Sequence, residues 1–346
     1  MQQAIIPPRL VAWESTRACN LDCVHCRAEA VREHHPEQLT TQEAFRLVDD
    51  IGSWGKPVIL IISGGEPLLR EDIYEVAARG TARGLRVVMS PNGTLLTPER
   101  VRRIKEAGVA RISVSLDGSS AERNDSFRMV SGAFEQATRG LGYAREANLP
   151  FQVNTTVTRR NLDDLPAMLR TVADLGAVTW DVFMLVPTGR GRLEDEVTPQ
   201  QYEEVLRWLH AAGEDSPVPI HITCAPHYLR VERQEGALRG GHGHGGAPVK
   251  GCMAGNGFAF VSHVGEVYPC GYFQVRAGSV RERSFREIYE QAELFQTLRD
   301  PDLLHGKCGR CEYRHLCGGC RARALGAVGD YLGEEPYCVH EPVLRA

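Results

Sequence analysis

From residue 10 to about 190, short apolar, β-branched runs alternate with longer amphipathic stretches, and few architectures accept that order. The runs are LVAWES (10–15), PVILIIS (57–63), LRVVMS (85–90), ARISVSL (110–116), FQVNTTV (151–157) and WDVFMLV (180–186). Stretches with helical period lie between them at 40–53, 71–83, 98–107, 132–147 and 162–175, the first opened by Thr40 or Thr41. Repeated strand-helix order predicts an α/β fold with a parallel sheet and right-handed crossovers, open or closed into a barrel. Such folds gather their sites at the carboxyl ends of the strands. Polar motifs follow four of the six strands: Glu14 and a cysteine loop, then SGGEP, SPNG and SLDG. Gly, Asn and Asp often do no more than make turns, but four such motifs at one end of one sheet mark a site.

Beyond this region come a helix near 199–212, the segment VPIHITCAPHYLRV and a Gly- and His-rich stretch at 236–251. That stretch reads as a loop or linker in which His242 and His244 are solvated. From Cys252 the chain is short-stranded and cysteine-dense, and GFAFVSHVGEVYPCGYF predicts a hairpin turning near Val264 and Gly265. The expected division is 1–230 for the strand-helix unit and a connecting segment, 231–251 for the linker, and 252–346 for a small domain organised by metal.

Length and composition narrow the function. At 346 residues, 42% hydrophobic and 24% charged, the chain folds throughout. A net charge of -4 and scattered Lys and Arg leave no footprint for nucleic acid. The start lacks a charged then apolar leader, and no apolar run approaches the ~20 residues that span a bilayer. No membrane partner is expected, and the expected location is cytoplasmic. In that reducing compartment eleven cysteines read as metal ligands rather than disulfides.

Three of them, Cys19, Cys23 and Cys26, stand at C-x3-C-x2-C spacing with no fourth cysteine nearby. A structural zinc site closes with four ligands, whereas a cluster held by three leaves one iron open. A zinc site completed by His25 is the alternative. ACNLDCVHC resembles the radical S-adenosylmethionine (SAM) superfamily, with His25 where an aromatic residue usually precedes the last cysteine; SGGEPLL resembles the second signature of that superfamily. The resemblance implies a partial (β/α)6 barrel of TIM type, a catalytic [4Fe-4S] cluster on the three cysteines, and SAM as the source of a 5′-deoxyadenosyl radical. It further implies that Gly64, Gly65 and Glu66 hold the SAM amino group, that Ser115 and Asn154 lie near its ribose, and that Arg128 approaches its carboxylate. A surface ion pair is the other reading of Arg128. No catalytic residue beyond cluster and SAM is expected.

Cys252, Gly265, Cys270, Cys308, Cys311, Cys317, Cys320 and Cys338 follow C-x12-G-x4-C, then C-x2-C-x5-C-x2-C, then a last cysteine. One zinc ribbon needs only four ligands, so two metal sites are the economical reading. The pattern resembles the SPASM domain, whose usual last spacing is one residue longer. By that resemblance Cys308, Cys311, Cys317 and Cys338 ligate one auxiliary [4Fe-4S] cluster, and Cys252, Cys270 and Cys320 hold another, giving one or two auxiliary clusters in all. Cys224 completes the second set, or is a buried free cysteine, or the iron stays open.

Finer segments, among them RLVAWESTRACNLDCVHCRAEA, LVPTGRG, TCAPHY and CGGCRARALGAVGDYLGEEPYC, resemble the haem b synthase family of the sirohaem-dependent pathway. That resemblance implies oxidative decarboxylation of two propionates of iron-coproporphyrin III to vinyl groups, with a reductant such as ferredoxin or flavodoxin. A didecarboxysirohaem deacetylase, a haem d1 maturase and a SPASM peptide maturase are the enzymatic rivals; a non-catalytic, metal-stapled interaction protein is the rival of another class. A substrate with four propionates asks for guanidinium forks. Arg190, Arg192, Arg230, Arg321 and Arg323 are the expected clamps, with His227 and Tyr228 placed to touch the macrocycle or its iron.

Overall fold

The computed structural model describes residues 7–236 and 251–343. The segment holding His242 and His244, and most of the expected linker, lie outside the described residues.

The strand-helix alternation folds as β1 (Leu10–Glu14), α1 (Thr41–Gly52), β2 (Ile59–Ser63), α2 (Ile73–Ala82), β3 (Arg86–Met89), α3 (Pro98–Glu106) and β4 (Arg111–Ser115). It continues through α4 (Ala121–Arg128), α5 (Ala133–Glu146), β5 (Phe151–Val157), α6 (Leu165–Leu175), β6 (Trp180–Met184), α7 (Pro199–Glu214), β7 (Ile220–Thr223) and α8 (Tyr228–Gln234). All strands from β1 to β7 pair in parallel and in chain order. This is the parallel sheet of a partial TIM barrel, one strand longer than the six runs predicted, because VPIHIT adds β7 along β6.

Local chemistry explains the boundaries. Thr40, rather than Thr41, caps α1 in a reciprocal box with Glu43, and Thr198 and Gln201 do the same for α7, where Pro199 opens the helix. α4 was not foreseen: AERNDSFR has almost no apolar face, and it forms because Ser120 caps it while Asn124 and Phe127 pack inward.

The carboxyl-terminal part contains β8 (Phe258–Val261), β9 (Glu266–Tyr268), β10 (Gly278–Ser279), α9 (Phe285–Gln291), α10 (Glu293–Arg299), α11 (Gly306–Arg310) and α12 (Arg321–Val328). The β8–β9 hairpin turns at Gly265, whose φ of 88° suits glycine. β8 pairs in parallel with β1, so a ten-stranded sheet runs β10-β9-β8-β1-β2-β3-β4-β5-β6-β7. The hairpin thus extends the barrel sheet, and β1, which delivers the first cysteine loop, lies between β2 and β8. No described helix is long and apolar enough to cross a membrane.

Candidate radical-generating and auxiliary cluster sites

The loop after β1 is closed by a bridge between Ala18 and Val31, with the Cys19 amide donating to the Val31 carbonyl at 2.8 Å. Its far side is tied to the end of α4: the Val24 amide donates to Phe127 O (2.9 Å) and the Asp22 amide to Arg128 O (3.2 Å). The SGGEP turn packs beneath. The amides of Gly65 and Glu66 donate to Thr16 O and Ala18 O, each at 2.7 Å, and a Cβ on Gly65 would stand 2.4 Å from Ala18 O. The glycine is therefore needed for close approach to the cysteine loop itself.

Glu66 is fully buried and accepts from the amides of Leu68 (2.9 Å) and Asn92 (2.6 Å). Burial pushes its carboxyl up to about 7. Asn92, from SPNG after β3, also donates to Asn20 Oδ1 (2.7 Å) and points its amide at Cys19 Sγ (3.8 Å). Burial likewise pushes the Cys19 thiol up to about 11.

Arg128 is buried beside the same loop, with Nη1 donating to Cys23 Sγ at 3.5 Å and Nη2 2.5 Å from Asp117 Oδ2. The pair is internal, not a surface one. Against the effect of burial, Arg128 and His25 hold the Asp117 carboxyl down at about 2. His25 Nε2 lies 3.3 Å from Asp117 Oδ2 and its ring meets Phe127 edge-on. Ser115 and Asn154 stand side by side in the β4–β5 register, half-buried, with Asn154 Oδ1 accepting from Gln152. Four strand ends therefore converge on one cysteine loop. The donor set fits a three-thiolate cluster: soft sulfur ligands, amide donors to Cys19 and Cys26 sulfur from Leu21 and Ala30 at 3.4 Å each, and a guanidinium at Cys23.

All eleven cysteines are free thiols. Cys308, Cys311, Cys317 and Cys338 line one cavity. Amides of Glu335, Tyr313 and Gly319 donate to the sulfurs of Cys308 (3.3 Å), Cys311 (3.4 Å) and Cys317 (3.4 Å), the type of donor that tunes iron–sulfur clusters. Cys320 and Cys270 pack in a separate apolar patch together with Cys224, and the Cys252 amide donates to Cys317 O at 3.2 Å. Glu335 links the sets, since its amide meets Cys308 and its carboxylate accepts from the Cys320 amide at 2.7 Å.

The arginines expected to clamp propionates have other partners, because a guanidinium in a folded core is taken by the nearest carboxylate or carbonyl. Arg190 donates to Cys23 O (2.9 Å) and Ala30 O (3.1 Å), bracing the cysteine loop. Arg230 is buried in a fork on Glu203. Arg321 donates to Tyr331 O (3.0 Å) and Gly333 O (2.6 Å) and reaches Cys308 Sγ (3.6 Å). Arg323, 1% exposed, sits between Glu335 (3.4 Å) and Glu196 (3.6 Å) and donates to Leu185 O and Cys224 O. Arg192 is exposed and faces Glu194. His227 is 1% exposed, stacks near Tyr202 and lines the four-cysteine cavity, while half-buried Tyr228 meets His210. Both follow β7, at the same carboxyl end of the parallel sheet as the first cysteine loop. Asn92, Asp117 and Gly189 were missed as site residues; their places in SPNG, SLDG and LVPTGRG were the signals that could have found them.

Residues 13–172 match the radical SAM superfamily and residues 252–321 match SPASM, an iron-sulfur cluster-binding domain. The chain is 52% identical over 341 residues to the AdoMet-dependent heme synthase of Methanosarcina barkeri (strain Fusaro / DSM 804), covering 97% of each chain. It is 47% identical to the AdoMet-dependent heme synthase of Nitratidesulfovibrio vulgaris, covering 96% of this chain and 93% of that one. The solved structure of native anSMEcpe with bound AdoMet shares the fold, with a TM-score of 0.74 at 17% identity over 96% of this chain and 94% of the other.

Proposed function

This chain belongs to the AdoMet-dependent heme synthase family of radical SAM enzymes with a SPASM domain, and from that premise we propose that it makes haem b from iron-coproporphyrin III. The observation that carries the reading is identity of about half the residues along nearly the whole length of both chains.

SAM and iron–sulfur clusters are the cofactors that the two domains imply. When bound, the catalytic cluster supplies the electron that splits SAM into methionine and the hydrogen-abstracting 5′-deoxyadenosyl radical. Cys19, Cys23 and Cys26 hold that cluster in this reading, and the chain's own residues arrange the rest. Gly65 and Gly189 let two turns press on the cysteine loop, and Arg190 and Asn92 fix its carbonyl and sulfur positions. Gly64, Gly65 and Glu66 receive the SAM amino group, Ser115 and Asn154 its ribose, and Arg128 sets the charge around Cys23 while Asp117 orients it. A carboxylate at Glu66 is a partner for an ammonium, which would draw it to the ionised form.

Removing a β-hydrogen from a propionate and then releasing carbon dioxide leaves a vinyl group and one surplus electron. The carboxyl-terminal cysteines, read as two auxiliary [4Fe-4S] sites, give that electron a destination within the same molecule. Ferredoxin or flavodoxin is the proposed reductant, and the cytoplasm the proposed location.

The test is substrate deuterated at the propionate β-carbons, incubated with reconstituted, reduced enzyme and SAM. Deuterium should appear in 5′-deoxyadenosine in step with decarboxylation. Decarboxylation with deuterium-free 5′-deoxyadenosine would reject the proposal.

A further inference from the structure

Cys252, Cys270 and Cys320 supply three thiols to the second auxiliary site, and three leave one iron of a cubane without a protein ligand. The matched SPASM segment, 252–321, contains no further cysteine near this set, since Cys308, Cys311 and Cys317 line the other cavity. A fourth thiol comes from the barrel. Cys224 follows β7, and its side chain packs in the apolar patch that holds Cys320, Cys270, Val186 and Phe273.

The backbone at this residue is unusual. Cys224 has a φ of 62°, a left-handed conformation that a residue with a Cβ adopts only when its surroundings enforce it. Two groups do so by holding its carbonyl: Arg323 Nη2 and Tyr202 Oη each donate to it at 3.1 Å. Arg323 is anchored in turn on Glu335, whose carboxylate accepts from the Cys320 amide at 2.7 Å. One buried network thus sets Cys224 and Cys320 relative to each other. Gly251, next to Cys252, presses on Pro226, two residues after Cys224, where an added Cβ would stand 2.8 Å from the proline side chain, so the Cys252 segment lies against the Cys224 turn. No disulfide joins any two of the four cysteines. An inert buried cysteine needs neither this strained backbone nor two thiols packed beside it, whereas metal binding displaces the thiol protons and uses the sulfurs together.

We infer that Cys224 is the fourth protein ligand of the auxiliary [4Fe-4S] cluster held by Cys252, Cys270 and Cys320, leaving that cluster no iron for the substrate to bind and confining it to electron transfer. The inference rests on the reading of those three cysteines as cluster ligands.

A cluster with one iron not held by thiolate sheds that iron on mild oxidation and gives a paramagnetic [3Fe-4S] signal. The test therefore uses the full chain with Cys19, Cys23 and Cys26 replaced by Ala, which removes the naturally open cluster, reconstituted anaerobically. This background should bind about eight iron atoms and give no [3Fe-4S] signal after brief ferricyanide treatment. Adding Cys224→Ala or Cys224→Ser should produce about one such spin per chain, or a loss of half the iron, with the signal of the Cys308 site unchanged as evidence of a folded domain. Cys252→Ala is the control for the underlying reading. If it alters the spectrum while both Cys224 variants leave iron and spectrum untouched, the Cys224 assignment is overturned and the site stands. If neither Cys252→Ala nor the Cys224 variants alter iron or spectrum, the three-cysteine site itself is wrong.

Discussion

Gly189 and Arg190 act on the first cysteine loop from one turn after β6. A Cβ at Gly189 would stand 2.4 Å from Arg27 O and 2.6 Å from Cys26 O, and the neighbouring guanidinium holds Cys23 O and Ala30 O. Gly189→Ala should therefore displace the loop and remove about four iron atoms, with the auxiliary signals retained. Iron analysis with electron paramagnetic resonance checks this, and an unchanged catalytic signal would show that the close contact is dispensable. Arg323 presents the opposite situation, a buried charge whose loss strands others. Arg323→Met leaves Glu335 and Glu196 buried without their cation, at a cost of about 3–5 kcal/mol. Urea unfolding should show that loss; a change under about 1 kcal/mol would mean the carboxylates are compensated elsewhere. Cysteine spacing made the shared loop of Cys19, Cys23 and Cys26 and the shared cavity of Cys308, Cys311 and Cys317 legible in the sequence, because each of these groups is local. Partners of an arginine are not local. Arg230 meets Glu203 and Arg323 meets Glu335 only through the fold, so residue type alone read as substrate clamps what the core uses as ties.

At the level of elements, the barrel strands were readable because they are short, largely apolar runs, and β2, ILIIS, shows it, with Leu60 and Ile62 fully buried and the residues between them half-buried. The pairing of β8 with β1 was not readable, since a parallel partner so far along the chain leaves no mark on local periodicity. That pairing brings the auxiliary hairpin against the catalytic loop. Glu14 at the end of β1 holds Arg27 (2.6 Å), which follows Cys26, and His263 (2.7 Å), which lies in the β8–β9 turn. Glu14→Gln should loosen both contacts at once and slow product formation more than SAM cleavage. Equal losses in the two assays would place its role at the first site alone. A second tie, Arg281 to Glu43, fastens the segment after β10 to α1. Arg281 holds the Glu43 carboxyl down at about 2. Its stabilisation is therefore complete above the ordinary carboxylate range and is lost as pH falls toward 2. The pair lies at the surface with both side chains partly exposed, so at neutral pH Arg281→Ala should cost no more than about 1 kcal/mol by urea unfolding.

Taken as a whole, the molecule carries one cysteine loop after β1 and two thiol-rich sites, and one continuous sheet joins that loop to the hairpin before Cys270. If the first starts the reaction and the others receive its surplus electron, the two functions separate by substitution. Cys23→Ala should abolish SAM cleavage, while Cys317→Ala should spare part of it and impair haem formation; normal haem from both variants would contradict the assignment of roles. The most direct measurement is of the product. Reconstituted, dithionite-reduced protein is incubated with SAM and iron-coproporphyrin III, and the tetrapyrrole is weighed by mass spectrometry. Loss of two propionate carboxyl groups to give haem b is the predicted result; unchanged iron-coproporphyrin III, with turnover of didecarboxysirohaem in its place, would contradict it.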